Sequence, residues 1–322
     1  MKMQLTTLAA AISLTVASAA LAQTPPNSSY TPTITSSTNL TSPTTGTAPN
    51  WGADNGDFQE DNTQWESATP GQNNFTWANG ELLPEPSNPI SGQNKVDSVI
   101  NQNNTGTAPN KATVSQDGAT GGQWSRVRQD GQNLMADVDQ RGSNNYSDVN
   151  QELSSGGIVN VLQLGVGDAS RVEQFGGENN KADITQSGFE NNSFVRQGGI
   201  GGDADQNDAH VVQTGINNDS YIGQTHGDMN WAFATQNGTD GTSYIIQQGS
   251  DNRAELYQVD GTDNESYIMQ NNNFGPTAIT NYAYVQQSGD SNVSTVTQAS
   301  DSVGNAVVYQ SGGNNLASTL QY

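Results

Sequence analysis

Few residues in this chain of 322 could carry bond-making chemistry. The only histidines are His210 and His226, and cysteine is absent. Disulfides, thiol chemistry and cysteine-based metal sites are therefore excluded. His210 falls at an outward position and His226 in a connector, neither with an evident nucleophile or carboxylate partner, so both are expected to be surface residues. Asp203-x-Asp205-x-Asn207 opens like a calcium loop, but the sixth position is not Gly and the twelfth is Thr214 rather than Glu. A solvated insertion is the expectation there. Gly198 to Gly202 lacks the Lys-Ser/Thr of a phosphate loop. No catalytic residue, cofactor or metal site is predicted. What the chain does hold is 38 Asn and 30 Gln, whose carboxamides both donate and accept hydrogen bonds.

The carboxamides are ordered. From Val96 onward Gln recurs at 102, 116, 129, 140, 151, 163, 174, 186, 197, 213, 224, 236, 247, 258, 270, 287, 298, 310 and 321. The sites in question are Gln102, Gln116, Gln129, Gln140, Gln151, Gln163, Gln174, Gln186, Gln197, Gln213, Gln224, Gln236, Gln247, Gln258, Gln270, Gln287, Gln298, Gln310 and Gln321. Fourteen of the 18 spacings are 11 or 12 residues. Two residues before each Gln stands Val or Ile in 16 of 19 cases, four before stands Ser or Ala in 18, and six before stands Asn in 12. Asn145, Asn191, Asn218, Asn252, Asn292 and Asn315 belong to this last column. The unit is N-x-[SA]-x-[VI]-x-Q followed by x-G-x-x.

Constraint at every second residue is the period of a strand, not of a helix. β-Branched Val and Ile suit strands, and the connector Gly permits a tight turn. No Pro interrupts Asn110 to Gly275. A second period overlies the first. The position four before Gln is Ser on odd rungs, from Ser98 to Ser294, and Ala on even rungs apart from Val159. The alternation breaks at the last rung, where Ala317 stands in place of Ser. The repeat is therefore about 23 residues of strand, turn, strand and turn. One such pair cannot bury a face alone, whereas stacked pairs can.

These patterns predict an all-β fold: a two-sheet β-solenoid of about 9–10 strand-turn-strand coils, roughly 45 Å tall at about 4.8 Å per coil. Odd strands would form one parallel sheet and even strands the other. Asn, Ser/Ala, Val/Ile and Gln would point between them, each carboxamide bonded to its copy one coil away. Three residues before Gln on odd rungs stand Phe194, Tyr221, Tyr244 and Tyr267. Stacked on an outward face, they would stabilise the chain's own ladder or form a lateral contact stripe.

Before the array the chain has another character. Lys2, an apolar run from Leu5 to Leu21 and the small-x-small Ala20-Leu21-Ala22 read as a secretory signal peptide over 1–22, so the mature protein is expected outside the cytoplasm with no membrane span. Residues 23–50 are a Thr/Ser/Pro-rich tether. Residues 51–95 are acidic and carry Trp51, Phe58, Trp65, Phe75 and Trp77, suiting a small cap or a recognition segment. This N-terminal region is expected to be largely disordered, ahead of the array at 96–322. The net charge of -22 excludes a nucleic-acid binder with a basic footprint and disfavours docking on anionic lipid. Cations, cationic surfaces or further copies of the chain are the favourable partners.

The array resembles the curlin family, the repeats of bacterial curli fibres. The family signature Q-x-G-x-x-N-x-A-x-x-x-Q, with Ala or Ser at the eighth position, is met without gaps from Gln140, Gln186, Gln213, Gln247, Gln287 and Gln310. The resemblance implies a secreted, non-enzymatic subunit that self-associates into amyloid fibres for biofilm matrix and adhesion. It also implies a curli-type nucleator and an outer-membrane secretion channel as partners. The chain departs from the family in having nearly twice the usual number of repeats, in its Ser lying four rather than six before Gln, and in its long Trp-bearing leader region. A nucleator or minor subunit, or a monomeric β-solenoid adhesin, is the alternative. Ice binding would need a regular outward Thr array, and a polysaccharide-degrading enzyme a charged constellation; the sequence has neither.

Overall fold

The computed structural model describes residues 96–117, 123–198, 204–272, 280–299 and 303–321. The signal-peptide, tether and 51–95 assignments lie outside these residues, as does Asp203. Nineteen strands are described, beginning with β1 (Val96–Asn104), β2 (Lys111–Asp117), β3 (Gln123–Gln132), β4 (Met135–Arg141), β5 (Tyr146–Ser155) and β6 (Ile158–Gln163). They continue as β7 (Ala169–Phe175), β8 (Lys181–Phe189), β9 (Asn192–Gly198), β10 (Asp208–Ile216), β11 (Asp219–Thr225), β12 (Trp231–Thr239) and β13 (Thr242–Gln248). The last are β14 (Arg253–Thr262), β15 (Glu265–Asn271), β16 (Tyr282–Ser288), β17 (Val293–Ala299), β18 (Asn305–Ser311) and β19 (Leu316–Gln321).

The ten odd strands form one sheet in the order β1 to β19, and the nine even strands form the other in the order β2 to β18. Every pair is parallel, because each strand meets its equivalent from the next coil rather than its chain neighbour. Register follows the sequence columns. In β8, β10 and β12, Ala182, Ala209 and Ala232 pair, as do Gln186, Gln213 and Gln236. The fold is therefore a two-sheet parallel β-solenoid of nine full coils and one further odd strand.

The inner faces carry the core. Val127, Val149, Val172, Val195, Ile222, Ile245, Ile268 and Val296 from the odd sheet meet Val138, Val161, Ile184, Val211, Leu256 and Val285 from the even sheet. Ala and Ser beside them are small enough to let the sheets approach. Burying an aliphatic side chain of this size contributes about 1.5–3 kcal/mol, so a thin column repeated over many coils suffices for a chain of mean hydropathy -0.67.

The connector Gly is a steric requirement. Gly188 has φ 137° and Gly215 φ 146°, and a Cβ on Gly188 would lie 1.9 Å from the Gly215 carbonyl oxygen one coil away. Only a residue without a side chain admits that backbone approach. The Q-x-G element of the repeat thus turns the chain immediately after the ladder residue.

Candidate self-association ladders

The strand register places each Gln of one column directly over the next, and their carboxamides bond in series. In the odd sheet Gln102 Nε2 donates to Gln129 Oε1 at 2.7 Å, Gln129 to Gln151 at 2.8 Å and Gln151 to Gln174 at 2.8 Å. Gln174 donates to Gln197, Gln197 to Gln224 and Gln224 to Gln247, each at 2.9 Å. The series runs on through Gln270 and Gln298 to Gln321. In the even sheet it runs Gln116, Gln140, Gln163, Gln186, Gln213, Gln236, Gln258, Gln287 and Gln310, with distances from 2.7 to 3.1 Å. All the donors point the same way along the stack.

A carboxamide has two N–H groups, and the second ties the sheets together. Gln197 in β9 donates to Lys181 O in β8 at 2.7 Å, and Gln213 in β10 donates to Asn192 O in β9 at 3.0 Å. Interior Gln side chains are therefore buried with donor and acceptor satisfied. Leaving such groups unpaired would cost about 1–3 kcal/mol each.

The Asn column runs in the opposite sense. Asn218 Nδ2 donates down to Asn191 Oδ1 at 3.0 Å, and Asn315 Nδ2 to Asn292 Oδ1 at 2.7 Å. Asn252 lies in the even sheet, donating to Asn230 at 3.0 Å and accepting from Asn281 at 3.1 Å. Asn180, Asn207, Asn264 and Asn281 join these series and were recognisable from their position six before Gln. Asn145 Oδ1 accepts from the backbone N–H of Asp168 at 3.1 Å.

Asp168 is the carboxylate in this column. It is fully buried, and its Oδ1 accepts both the backbone and side-chain N–H of Asn191 at 3.1 Å. Burial pushes its carboxyl up to about 7 against the pull of those hydrogen bonds. Two serine pairs also bond across coils, Ser243 to Ser220 and Ser266 with Ser294, each at 2.9 Å.

Phe194, Tyr221, Tyr244 and Tyr267 follow one another along the outer side of the odd sheet, Phe194 edge-on to Tyr221 and the three tyrosines stacked. Ring centroids are 5.3, 4.6 and 4.7 Å apart. They are not the exposed stripe that an outward position implies. Phe194, Tyr221 and Tyr244 are 0, 2 and 1% exposed, and Tyr267 is half-buried. With Trp124, Ile246 and Met269 they form a second apolar cluster on that face.

His210 also differs from expectation. Its Nε2 lies 2.8 Å from Asp208 Oδ1 and its Nδ1 3.5 Å from Asp183 Oδ2. Asp208 is two residues away on the same face, and Asp183 is the register partner on β8, so both partners follow from strand geometry. Burial works to raise the Asp208 carboxyl, but His210 and then Lys181 outweigh it and hold it below the usual range. Lys181 Nζ contacts Asp183, so this trio already holds a cation of its own. His226 lies in a turn with φ 55°. Asp205 belongs to the connector stack, its Oδ1 accepting from Glu178 N at 2.6 Å.

The geometry defines a polar-cored parallel β-solenoid whose sheets are threaded by continuous carboxamide ladders. The curlin associated repeat family model matches residues 177–205, which span β8 and β9 with Gln186 and Gln197, and this supports membership of the curlin family. No curated protein matches the chain. Among the described residues no helix is long and apolar enough to cross a membrane.

Proposed function

We propose that the protein is a secreted structural subunit that stacks end to end through its solenoid into extracellular curli-like amyloid fibres, serving biofilm matrix and adhesion. The observation that carries this reading is the Gln ladder. It runs in register through every described coil. Terminal strands with unmatched backbone groups are templates for a further strand. The outward residues of the end strands are open, with Leu316 65% and Tyr309 70% exposed. The curlin repeat match supports a structural rather than a catalytic role.

The reading includes export by the 1–22 segment, which rests on its signal-peptide pattern, and handling by a curli-type channel and nucleator, which rests on the resemblance alone. The test is assembly of the purified chain at micromolar concentration. Fibres with a 4.7–4.8 Å meridional reflection are expected. A product that stays monomeric over days would contradict the proposal.

A further inference from the structure

The outer faces of the two sheets carry like side chains but differ in exposure. On the even sheet Phe233, Tyr257 and Tyr284 follow one another with ring centroids 5.5 Å apart, and all three stay half-buried. Beside them the Arg253–Glu255 pair has side chains 53 and 13% exposed. On the odd sheet the Arg171–Glu173 pair is only 10 and 6% exposed, and Phe194, Tyr221, Tyr244 and Met269 are buried. Rows of rings are common to both faces, so they do not account for the difference. The described residues form two sheets and no third layer, and the burial is that of a single copy of the chain.

We infer that residues 51–95 of the same chain lie across the outer face of the odd sheet as a third layer, from β5 to β15. This concerns one copy and does not rest on the assembly reading. Length selects the segment. The buried face spans five layer steps, about 24 Å. The undescribed stretches within the array are 118–122, 199–203, 273–279 and 300–302, each tied at both ends to consecutive strands and too short to cross that face. Residues 51–95 join directly to β1, a strand of the odd sheet, and ten extended residues already cover about 33 Å.

Composition selects it as well. Burying a guanidinium requires carboxylates close by. Arg171 and Arg196 both contact Glu173, two cations around one anion, and Arg126 and Arg128 lie on the same face. Arg126, Tyr146, Phe194, Arg196, Tyr221 and Tyr244 also have partners besides the neighbours named above. The segment brings seven Asp or Glu against the single Lys95, with Trp51, Phe58, Trp65, Phe75 and Trp77 to pack on the rings. Residues 23–50 hold no charged residue and one aromatic, and offer neither. Docked there, the 51–95 segment keeps the aromatic row out of contacts between copies.

The chain has no Cys, so single-cysteine variants of the full, freshly dissolved chain report exposure through their rate of reaction with a maleimide. I246C lies on the odd outer face, V307C on the even outer face and A209C in the core. With the segment intact, I246C should react about tenfold or more slowly than V307C. W51S, W65S and W77S, combined with amides in place of the segment's seven carboxylates, should bring I246C to the rate of V307C, while A209C stays protected in the unchanged solenoid. I246C reacting as fast as V307C in the intact chain would overturn the inference. Slow reaction that survives the substitutions would overturn it too, assigning the cover to a second copy. Acrylamide quenching of W124F/W231F reads the contact from the segment's own side, with Trp51, Trp65 and Trp77 expected to be shielded. Quenching at the rate of free indole would overturn the inference even where the substituted chain fails to fold.

Discussion

Gln213 Nε2 bonds Gln236 Oε1 one coil above at 2.7 Å and, with the same nitrogen, Asn192 O on the opposite sheet at 3.0 Å. One side chain thus joins layer to layer and sheet to sheet. Gln cannot be exchanged here for an apolar residue of similar volume without orphaning groups on both sides.

Gln213→Ala should therefore destabilise the fold by about 2–5 kcal/mol, since Gln186, Gln236 and Asn192 all lose a buried partner. Thr214→Ala, at the adjoining half-buried outward position, should cost about 0.5 kcal/mol or less. Denaturant titration of both variants checks this, and equal effects would contradict it.

Asp168 makes stability depend on pH. Its carboxyl rises from the usual 3.8 to about 7 in the fold, so the folded chain keeps a proton that the unfolded chain releases. Stability then falls as pH rises from about 4 to about 7 and stays low above that. Asp168→Asn removes the charge and restores the column's donor. It should stabilise the protein by on the order of 4 kcal/mol at pH 8 and change little at pH 3. Thermal unfolding across pH checks this; a benefit equal at both ends of the range would contradict it.

Tyr244 is buried between Tyr221 and Tyr267, with centroid distances of 4.6 and 4.7 Å. Tyr244→Ser should cost about 3 kcal/mol or more of stability. Lateral bundling of fibres, read by electron microscopy, should not change beyond what that loss explains. Unchanged stability with lost bundling would instead restore the lateral contact stripe.

Gly188→Ala should be poorly tolerated, at roughly 2 kcal/mol or more, because the new methyl group meets the Gly215 carbonyl and φ is 137°. Gly313→Ala is the control, since the nearest atom to a Cβ there, Asp290 O, lies at 3.4 Å, an ordinary contact distance. Comparable losses in both variants would argue against the backbone approach as the cause.

The layered fold was legible because alternation names the strand and the 23-residue period names the partner. Fixing Gln over Gln fixes every other pair in the sheet. Outward positions were less legible. Alternation gives the side of a strand a residue occupies but not how exposed that side is, so Tyr221 and Tyr244 lie on the outer side of the odd sheet and are nevertheless buried. The partners of His210 follow only from the inter-coil register, which sets Asp183 beside it. Asp168 was visible as the Asp of an Asn column, but its raised carboxyl depends on burial, which no local pattern reports.

The most direct test of the layered account is solid-state NMR on fibres with Gln side chains labelled with ¹⁵N and ¹³C. Carboxamide nitrogen of one Gln should correlate with carboxamide carbon of the Gln one coil above, as the bond from Gln213 to Gln236 at 2.7 Å requires. Gln carboxamides that correlate only within their own residue would contradict the account.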